Sequence, residues 1–85
     1  MRIIYTSEFS RLFKKLSKTA QIEAWKKEKI FRENPFDSRL KIHKLHGKLK
    51  DCFAFSISYS RRIIFEFNNT DSVYFLSIGS HHIYE

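Results

Sequence analysis

Histidine and arginine are the side chains of this chain that could move protons and hold an anion near neutral pH. The four histidines lie in residues 43–50 and in residues 79–84, and Arg62 lies between these two segments. Histidine has an ordinary pKa close to neutrality, so it can serve as a general acid or base. Arginine presents a fixed fork of donors that suits phosphate or carboxylate. Together these residue types favour proton transfer at an anionic centre.

Other chemistries lack the residues that they need. The chain has no glycine-rich phosphate loop, no G-x-S-x-G motif and no pair of cysteines. Cys52 stands at the start of an apolar stretch, where a small structural side chain is more typical than a nucleophile. The four histidines match no ligand spacing of a structural zinc site, and no cysteine or acidic residue completes one. We therefore expect neither a metal nor a cofactor.

Positive charge is concentrated in the first part of the chain. Lys and Arg number 16 against 9 Asp and Glu, which gives a net charge of +7. Residues 39–50, the basic segment, hold five Lys or Arg and no acidic residue. Such a stripe suits a polyanion because contacts with phosphates release counterions. The alternative is a solvated surface whose charge only keeps the protein soluble.

Length and composition predict one domain that spans residues 1–85. Hydrophobic residues make up 42% of the chain and include nine Phe, enough for one apolar core. Two Gly and one Pro leave no room for a long linker. No apolar run approaches the roughly 20 residues of a membrane span, and no secretory signal is recognisable. We expect a soluble cytoplasmic protein with no membrane partner.

Two helices are predicted before residue 35. Thr6 and Ser7 are candidate N-caps, and the following apolar residues recur with the spacing of one buried helical face: Phe9, Leu12, Phe13 and Leu16. A second helix runs to about Glu33, where Asn34-Pro35 ends it. Its apolar residues Ala20, Ala24 and Phe31 share a face, while Ile22 and Trp25 lie to the side.

The remaining elements are predicted to be strands. Residues 2–5 form a first short strand, and apolar residues alternate with polar ones over residues 53–59 and again over 63–67. Turns are expected at Ser60-Arg61 and at residues 68–71, followed by a last strand over residues 73–78. The fold class is α+β with the order β-α-α-β-β-β. An antiparallel sheet must be covered on one face by the helical hairpin.

Three ordered segments carry a resemblance to a known family. Residues 43–50 read HKLHGKLK, Arg62 opens the segment RIIF, and Ile78 opens the segment IGSH. This chain resembles the RelE/YafQ/ParE superfamily of bacterial toxins, the toxic halves of toxin–antitoxin pairs. That superfamily has the pattern H-x-L-x-G-x-(W/L), then a (Y/W)-R-(I/L)-(I/V)-Y strand, then a G-(S/T)-H-x-x-x-(Y/F) ending. The preceding helical hairpin also agrees, so the resemblance spans essentially the whole chain.

The resemblance implies a metal-independent endoribonuclease that cuts mRNA, usually on the ribosome, and so inhibits translation. By position, His43 falls on a proton-transferring residue, Arg62 on a phosphate-contacting arginine and His81 on the C-terminal histidine of YafQ-like members. These three side chains are expected to converge in one groove, with the guanidinium of Arg62 free to meet a phosphate. The residues expected to bind RNA are Arg39, Lys41, Lys44, His46, Lys48, Lys50, Arg61 and Tyr84.

The resemblance also implies a cognate antitoxin as partner, besides mRNA and the ribosome. An acidic antitoxin segment is expected to fold onto an exposed apolar groove. The toxin would be a monomer when free and a hetero-oligomer with its antitoxin. Ser56, Ser60 and Ser77 stand where YafQ-like members have a histidine, an aspartate and an arginine, and the ending is one residue shorter than the family pattern. These departures keep two alternatives open: a ParE-like toxin that acts on DNA gyrase without being an enzyme, and a degenerate member that only binds antitoxin.

Overall fold

The structure, a computed structural model, describes residues 1–80. It contains two helices, five strands and two short 3-10 helices at residues Ser38–Leu40 and Gly47–Leu49. In chain order the helices and strands are β1 (Arg2–Tyr5), α1 (Ser7–Lys14), α2 (Lys18–Glu33), β2 (His43–Lys44), β3 (Phe53–Ser56), β4 (Arg61–Asn69) and β5 (Ser72–Ser80). The α+β class and the helical hairpin after the first strand are confirmed.

Side-chain caps explain where the helices begin. The Thr6 hydroxyl accepts a hydrogen bond from the Phe9 backbone N–H at 3.1 Å, and the Ser17 hydroxyl accepts one from Ala20 at 3.2 Å. Each cap satisfies a backbone donor that has no partner inside the helix. Helix α1 ends at Lys14, before the last apolar residue of the predicted face. Helix α2 ends at Glu33, as the Asn34-Pro35 pair predicts.

The five strands form one sheet in the order β1-β5-β4-β3-β2. Neighbouring strands from β2 to β5 are antiparallel, which confirms the predicted meander. Strand β1 pairs with β5 in parallel, with Ile3 opposite Val73, so the sheet is mixed. A parallel pair needs a long connection, and the helices and the meander supply it. The two-residue strand β2 adds an edge that the sequence pattern did not predict.

The boundaries of β3 differ from the prediction. Strand β3 ends at Ser56, and the turn comprises residues 57–60, closed by a bond of 3.1 Å from the Ile57 N–H to the Arg61 carbonyl. Arg61 is the first residue of β4 and not part of the turn. The prediction ran too far because Ile57 is buried like a strand residue although it has left the ladder. Burial therefore continues one residue beyond the end of the strand.

Both helices cover the same face of the sheet, as predicted. Phe31 of α2 is fully buried, and its ring centroid lies 4.9 Å from those of Phe55 and Phe65 and 5.4 Å from that of Phe75. Phe9 of α1 reaches the same ring of Phe75 at 5.4 Å. Contacts between offset or tilted aromatic rings stabilise beyond the area that they bury. The main core therefore joins both helices to the central strands.

The opposite face of the sheet has a smaller apolar cluster. Leu45, Cys52, Ala54 and Ile64 are buried there, so the segment between β2 and β3 covers part of this face. Burial raises the pKa of the Cys52 thiol, and the nearby carboxylates of Glu66 and Asp51 raise it further. A buried thiol that holds its proton is a poor nucleophile. The structural interpretation of Cys52 agrees with this environment.

Candidate nucleic-acid interface

A pocket of about 340 Å³ lies where β3 ends and β4 begins. We call it the basic pocket. Its lining comes from helix α2, from the 3-10 turn before β2, from both strands and from the turn that joins them: Lys27, Arg39, Lys41, Ser56, Ser58, Tyr59 and Arg62. Four of these seven residues carry positive charge and none carries negative charge. Such a lining favours an anion.

Sheet register explains why residues far apart in sequence meet at the basic pocket. Ser56 of β3 lies opposite Arg62 of β4, which in turn lies opposite Gly79 of β5. His43 lies opposite Ala54, which is two residues before Ser56 on β3. Side chains two residues apart on a strand share a face. The sheet therefore places His43, Ser56 and Arg62 on one face.

Arg62 holds the turn between β3 and β4. Its Nη1 donates to the carbonyl oxygens of Ser58 at 3.0 Å, Tyr59 at 3.1 Å and Arg61 at 3.0 Å. The side chain lies on the face opposite Ile63, as predicted, but the guanidinium is half-buried and already bonded to protein. All three bonds use Nη1, which leaves the donors on Nε and Nη2 uncommitted within residues 1–80. Arg62 is thus both a turn clamp and a candidate anion ligand.

Arg39 and Lys41 reach the basic pocket from the segment before β2. Arg39 makes two bonds to the Asp37 carboxylate, at 2.8 Å from Nη2 and 3.0 Å from Nε, and these bonds lower the pKa of Asp37 to about 2. Lys41 has a φ of +51°, in the left-handed region that non-glycine residues rarely adopt. Such backbone conformations cluster at binding and catalytic sites. This segment is therefore shaped around the pocket.

Lys27 is a residue of the site that the sequence interpretation missed. A helix rotates by about 100° per residue, so Lys27 lies about 20° from Ala20, at the edge of the buried stripe formed by Ala20, Ala24 and Phe31. It is half-buried and faces the basic pocket, although Glu23 stands at ion-pair spacing. A lysine at the edge of an otherwise apolar helical stripe was the signal that could have revealed it.

His43 borders the basic pocket without lining it. Its side chain is exposed, and its Nδ1 lies 3.4 Å from the Lys41 carbonyl oxygen. His43 lies opposite Ala54, which shares a face of β3 with Ser56, the partner of Arg62. His43 and Arg62 are thus brought to one face of the sheet near one pocket. His81 and Tyr84 lie outside the described residues, so the predicted meeting of three side chains stays a prediction.

The other residues predicted to bind RNA extend away from the pocket. Lys44, His46, Lys48 and Lys50 are exposed along β2 and the 3-10 helix that follows it. Arg61 is half-buried and lies opposite Ser80 at the same end of the sheet. The structure therefore divides the basic segment in two. Its first part shapes the pocket, and its second part forms an exposed cationic strip.

A second cavity, of about 320 Å³, opens between the two helices and the sheet. We call it the apolar groove. Its lining is Tyr5, Phe9, Ser10, Phe13, Lys14, Ala24, Trp25, Glu28, Ile63 and Phe75. Trp25 is 56% exposed, and the Nζ of Lys29 lies 4.4 Å from its ring centre. An exposed tryptophan on an apolar cleft is typical of a protein-binding surface.

A polar network surrounds Tyr5 at one side of the apolar groove. The Tyr5 hydroxyl donates to the Glu28 carboxylate and accepts a hydrogen bond of 3.2 Å from Nη2 of Arg32. Burial raises the pKa of Tyr5, and the hydrogen bond to Glu28 raises it further. Tyr5 therefore stays protonated at neutral pH and keeps β1 tied to helix α2.

Residues 1–80 contain neither a cluster of metal ligands nor a helix that could span a membrane. Within that range, no three His, Cys, Asp or Glu side chains stand close enough together to hold a metal ion. Neither of its helices combines the length and the hydropathy that crossing a bilayer requires.

Comparison with solved structures shows which proteins share this fold. YafQ from E. coli strain BL21(DE3) superposes with a TM-score of 0.80 at 18% identity, over 98% of this chain and 97% of YafQ. A YoeB/ParE toxin from Agrobacterium tumefaciens superposes with a TM-score of 0.80 at 12% identity, over 95% and 99% of the two chains. The RelBE2 toxin–antitoxin complex from Mycobacterium tuberculosis gives 0.78 at 15% identity, over 94% and 96%.

These likenesses confirm the predicted resemblance at the level of the fold. The structural neighbours are YafQ, YoeB and RelE toxins, and the superpositions include almost all of both chains. No protein-family model matches the sequence, and no curated protein matches it at a significant level. Activity must therefore be argued from the side chains of this chain.

Proposed function

We propose that this chain is the toxin of a toxin–antitoxin pair and acts as an mRNA-cleaving endoribonuclease on translating ribosomes. The observation that carries the proposal is the convergence of Lys27, Arg39, Lys41 and Arg62 on one pocket beside His43. A phosphodiester is the anion that this combination of cations and a histidine suits. The shared fold with YafQ, YoeB and RelE toxins supports the same conclusion.

The proposed reaction is an internal transfer at one phosphodiester. The RNA 2′-oxygen bonds to phosphorus, the bond from phosphorus to the 5′-oxygen breaks, and the products are a 2′,3′-cyclic phosphate and a 5′-hydroxyl. One histidine accepts the proton of the 2′-hydroxyl and the other gives a proton to the departing 5′-oxygen. We assign these two roles to His43 and His81. The reaction consumes no water, metal or cofactor.

The cations of the basic pocket have a separate task in this reaction. Negative charge on the phosphoryl oxygens increases as the fifth bond to phosphorus forms, and fixed donors aimed at those oxygens lower the barrier. Arg62 is already held in place through Nη1, so little freedom remains to be lost when Nε and Nη2 meet a phosphate. Lys41 and Arg39 add charge from the adjoining segment.

We assign the apolar groove to the antitoxin. A helix-forming segment with apolar residues on one face and acidic residues beside them would bury Trp25 and Phe13. Lys14 at the groove and the net charge of +7 favour an acidic segment. Structural neighbours with this fold have been solved as the DinJ-YafQ and YoeB-YefM complexes. An antitoxin bound in the groove would thus neutralise the toxin from a face other than that of the basic pocket.

The test of the nuclease proposal is an Arg62→Ala variant expressed in cells. Growth arrest and cleavage of translated mRNA, mapped by primer extension, should fall by roughly 10²-fold or more because a fixed donor to the reacting phosphate is lost. Arg11→Ala removes one charge from exposed helix α1 and should stay toxic. His43→Ala should reduce growth arrest and mRNA cleavage by a comparable factor, since a proton-transfer group contributes about 10²–10⁴-fold to the rate.

Folding must be checked in the same variants because Arg62 also clamps the turn. Arg62→Lys keeps one charge and one donor group, so it should fold and retain part of the activity. Circular dichroism and capture of the antitoxin should be normal for every variant that is scored. Cleavage by folded Arg62→Ala and His43→Ala at the wild-type rate would rule out the nuclease assignment.

One observation favours a second candidate, a toxin that binds its target without cutting RNA. Ser56 lines the pocket, Ser60 is exposed in the turn and Ser77 lies opposite Ile64, and none of them can move protons near neutral pH unaided. A ParE-like inhibitor of DNA gyrase would need no such groups. Growth arrest without mRNA cleavage, together with inhibited gyrase supercoiling, would favour this candidate.

A further inference from the structure

We propose that Tyr59 and Lys27 form a nucleotide subsite of the basic pocket, in which Tyr59 stacks on a base of single-stranded RNA and Lys27 binds the adjoining phosphate. This inference rests on the proposed function and extends it. Neither residue belongs to the set that the family resemblance implies. Both were brought to the pocket by the tertiary structure.

Tyr59 is exposed to an extent that the fold does not explain. It is 98% exposed, whereas Phe9, Phe31, Phe55, Phe65 and Phe75 are all buried in the main core. An aromatic ring left in water contributes nothing to folding by burial. Tyr59 stands on the turn between β3 and β4, at the rim of a pocket with four cations. Exposed aromatic rings beside cationic grooves are how proteins bind single-stranded nucleic acid.

The turn that carries Tyr59 is held by several bonds. Nη1 of Arg62 bonds to the carbonyl oxygens of Ser58, Tyr59 and Arg61, and the Ile57 N–H closes the hairpin on Arg61 at 3.1 Å. A ring on a fixed backbone loses less conformational freedom when it binds than a ring on a mobile loop. Arg62 therefore positions Tyr59 in addition to its own proposed contact with phosphate.

Lys27 occupies a position where an apolar residue would stabilise the fold more. It lies at the edge of the buried stripe of Ala20, Ala24 and Phe31, and a half-buried ammonium loses part of its hydration. Of the described ion pairs, none includes Lys27; the nearby Asp37 is engaged by Arg39. The basic pocket is the place where its charge can meet an anion. The position of Lys27 at the pocket suits a phosphate ligand, and helix packing does not require a lysine there.

The experiment measures binding of a fluorescently labelled single-stranded oligoribonucleotide with 2′-O-methyl groups, which the proposed reaction cannot cleave. Tyr59→Ala should weaken binding roughly 5- to 150-fold, the range of one base–aromatic stack. Tyr59→Phe and Tyr59→Trp keep the ring and should bind within a few-fold of wild type. Phe36→Ala removes another exposed aromatic residue, which lines neither cavity, and should leave RNA binding unchanged.

A salt series in the same assay tests Lys27. Lys27→Gln should reduce the slope of log affinity against log salt by about 0.7, the value for one phosphate contact in a single strand. Lys26→Gln removes the same charge from the neighbouring exposed position and should change the slope less. Tyr59→Ala should lower the affinity at every salt concentration and leave the slope as in wild type.

The outcomes separate this subsite from the proposed function. If the Tyr59→Ala and Lys27→Gln variants bind and cleave RNA as the wild type does, the subsite is overturned and the nuclease proposal still stands. Absence of salt-dependent RNA binding by the wild type would overturn the subsite, whereas the nuclease proposal is judged separately by mRNA cleavage in cells. Melting temperatures of Tyr59→Ala and Tyr59→Phe should match wild type, because the ring is in water in the fold.

Discussion

The basic pocket and the apolar groove have nearly the same volume, about 340 and 320 Å³. They differ in how their residues relate to the local sequence patterns. Residues of the groove follow the local patterns: Phe9 and Phe13 continue the apolar stripe of helix α1, and Ile63 and Phe75 alternate along their strands. Residues of the basic pocket break those patterns. Lys27 puts a charge at the edge of a buried stripe, Lys41 has a positive φ and Tyr59 leaves an aromatic ring in water.

This difference indicates where the fold was not optimised for stability. The groove between the two amphipathic helices results from ordinary packing, which is incomplete on one side. A cluster of local irregularities costs stability at each position, and such irregularities are expected at functional sites. Adjacent residues of β4 join the two regions, since Arg62 lines the basic pocket and Ile63 lines the apolar groove. The two surfaces should nevertheless be separable by mutation.

Among the three variants below that compare the two surfaces, the largest effect is expected in the apolar groove. Trp25→Ala should weaken capture of the antitoxin about 30-fold or more, the cost of removing an aromatic hot-spot residue, while mRNA cleavage stays at the wild-type rate. Isothermal titration with the purified antitoxin measures the affinity. Phe36→Ala is the matched control because Phe36 is exposed but stacks on Phe67 outside the groove. Equal losses in the two variants would show that the groove is not the antitoxin site.

A smaller effect is expected in the exposed cationic strip next to the basic pocket. Replacing Lys48 and Lys50 together with Gln should lower the slope of log RNA affinity against log salt by about 1.4, two contacts at about 0.7 each. Both residues are exposed, so the fold should be unaffected. Lys15 and Lys18 are the charge-matched control pair on the helices. An unchanged slope would make the strip a solvated surface and confine RNA binding to the basic pocket.

The smallest effect concerns the acid next to the basic pocket. Asp37→Asn frees Arg39 and removes a negative charge, so RNA affinity at low salt should rise, by less than about 5-fold for an exposed pair. The pKa of Asp37 is lowered to about 2 by Arg39, so the carboxylate is ionised throughout the range from pH 5 to 8. Over that range, the RNA affinities of wild type and Asp37→Asn should therefore show the same dependence on pH.

The same pKa sets the sign of a stability effect at acid pH. A carboxylate whose pKa is lowered in the folded state stabilises the fold above its ordinary pKa of 3.8, and this contribution is lost as the pH falls through about 2. Acid unfolding curves of wild type and Asp37→Asn should therefore converge below pH 2.

For RNA binding by Asp37→Asn, a rise in affinity that vanishes at high salt would confirm an electrostatic origin. A decrease in affinity would contradict it.

The sequence could predict features that depend on neighbours along the chain. The cap at Thr6 and the stop at Asn34-Pro35 are local, so the start of α1 and the end of α2 were predicted close to their observed positions. Alternation predicted the faces of β3 to β5 but not the end of β3, because Ile57 stays buried after leaving the ladder. The parallel pairing of β1 with β5 joins residues about 70 positions apart, and no local pattern encodes it.

For the site, the sequence by itself determined the residue types and the ordered segments that resemble toxins. It also determined the face of Arg62, because side chains alternate along strands. Only the tertiary structure decided that Lys27 and Tyr59 join Arg62 at one pocket, and that Arg62 clamps the turn beneath Tyr59. The physical reason is that register and helix docking bring these residues together, and both depend on how the whole core packs.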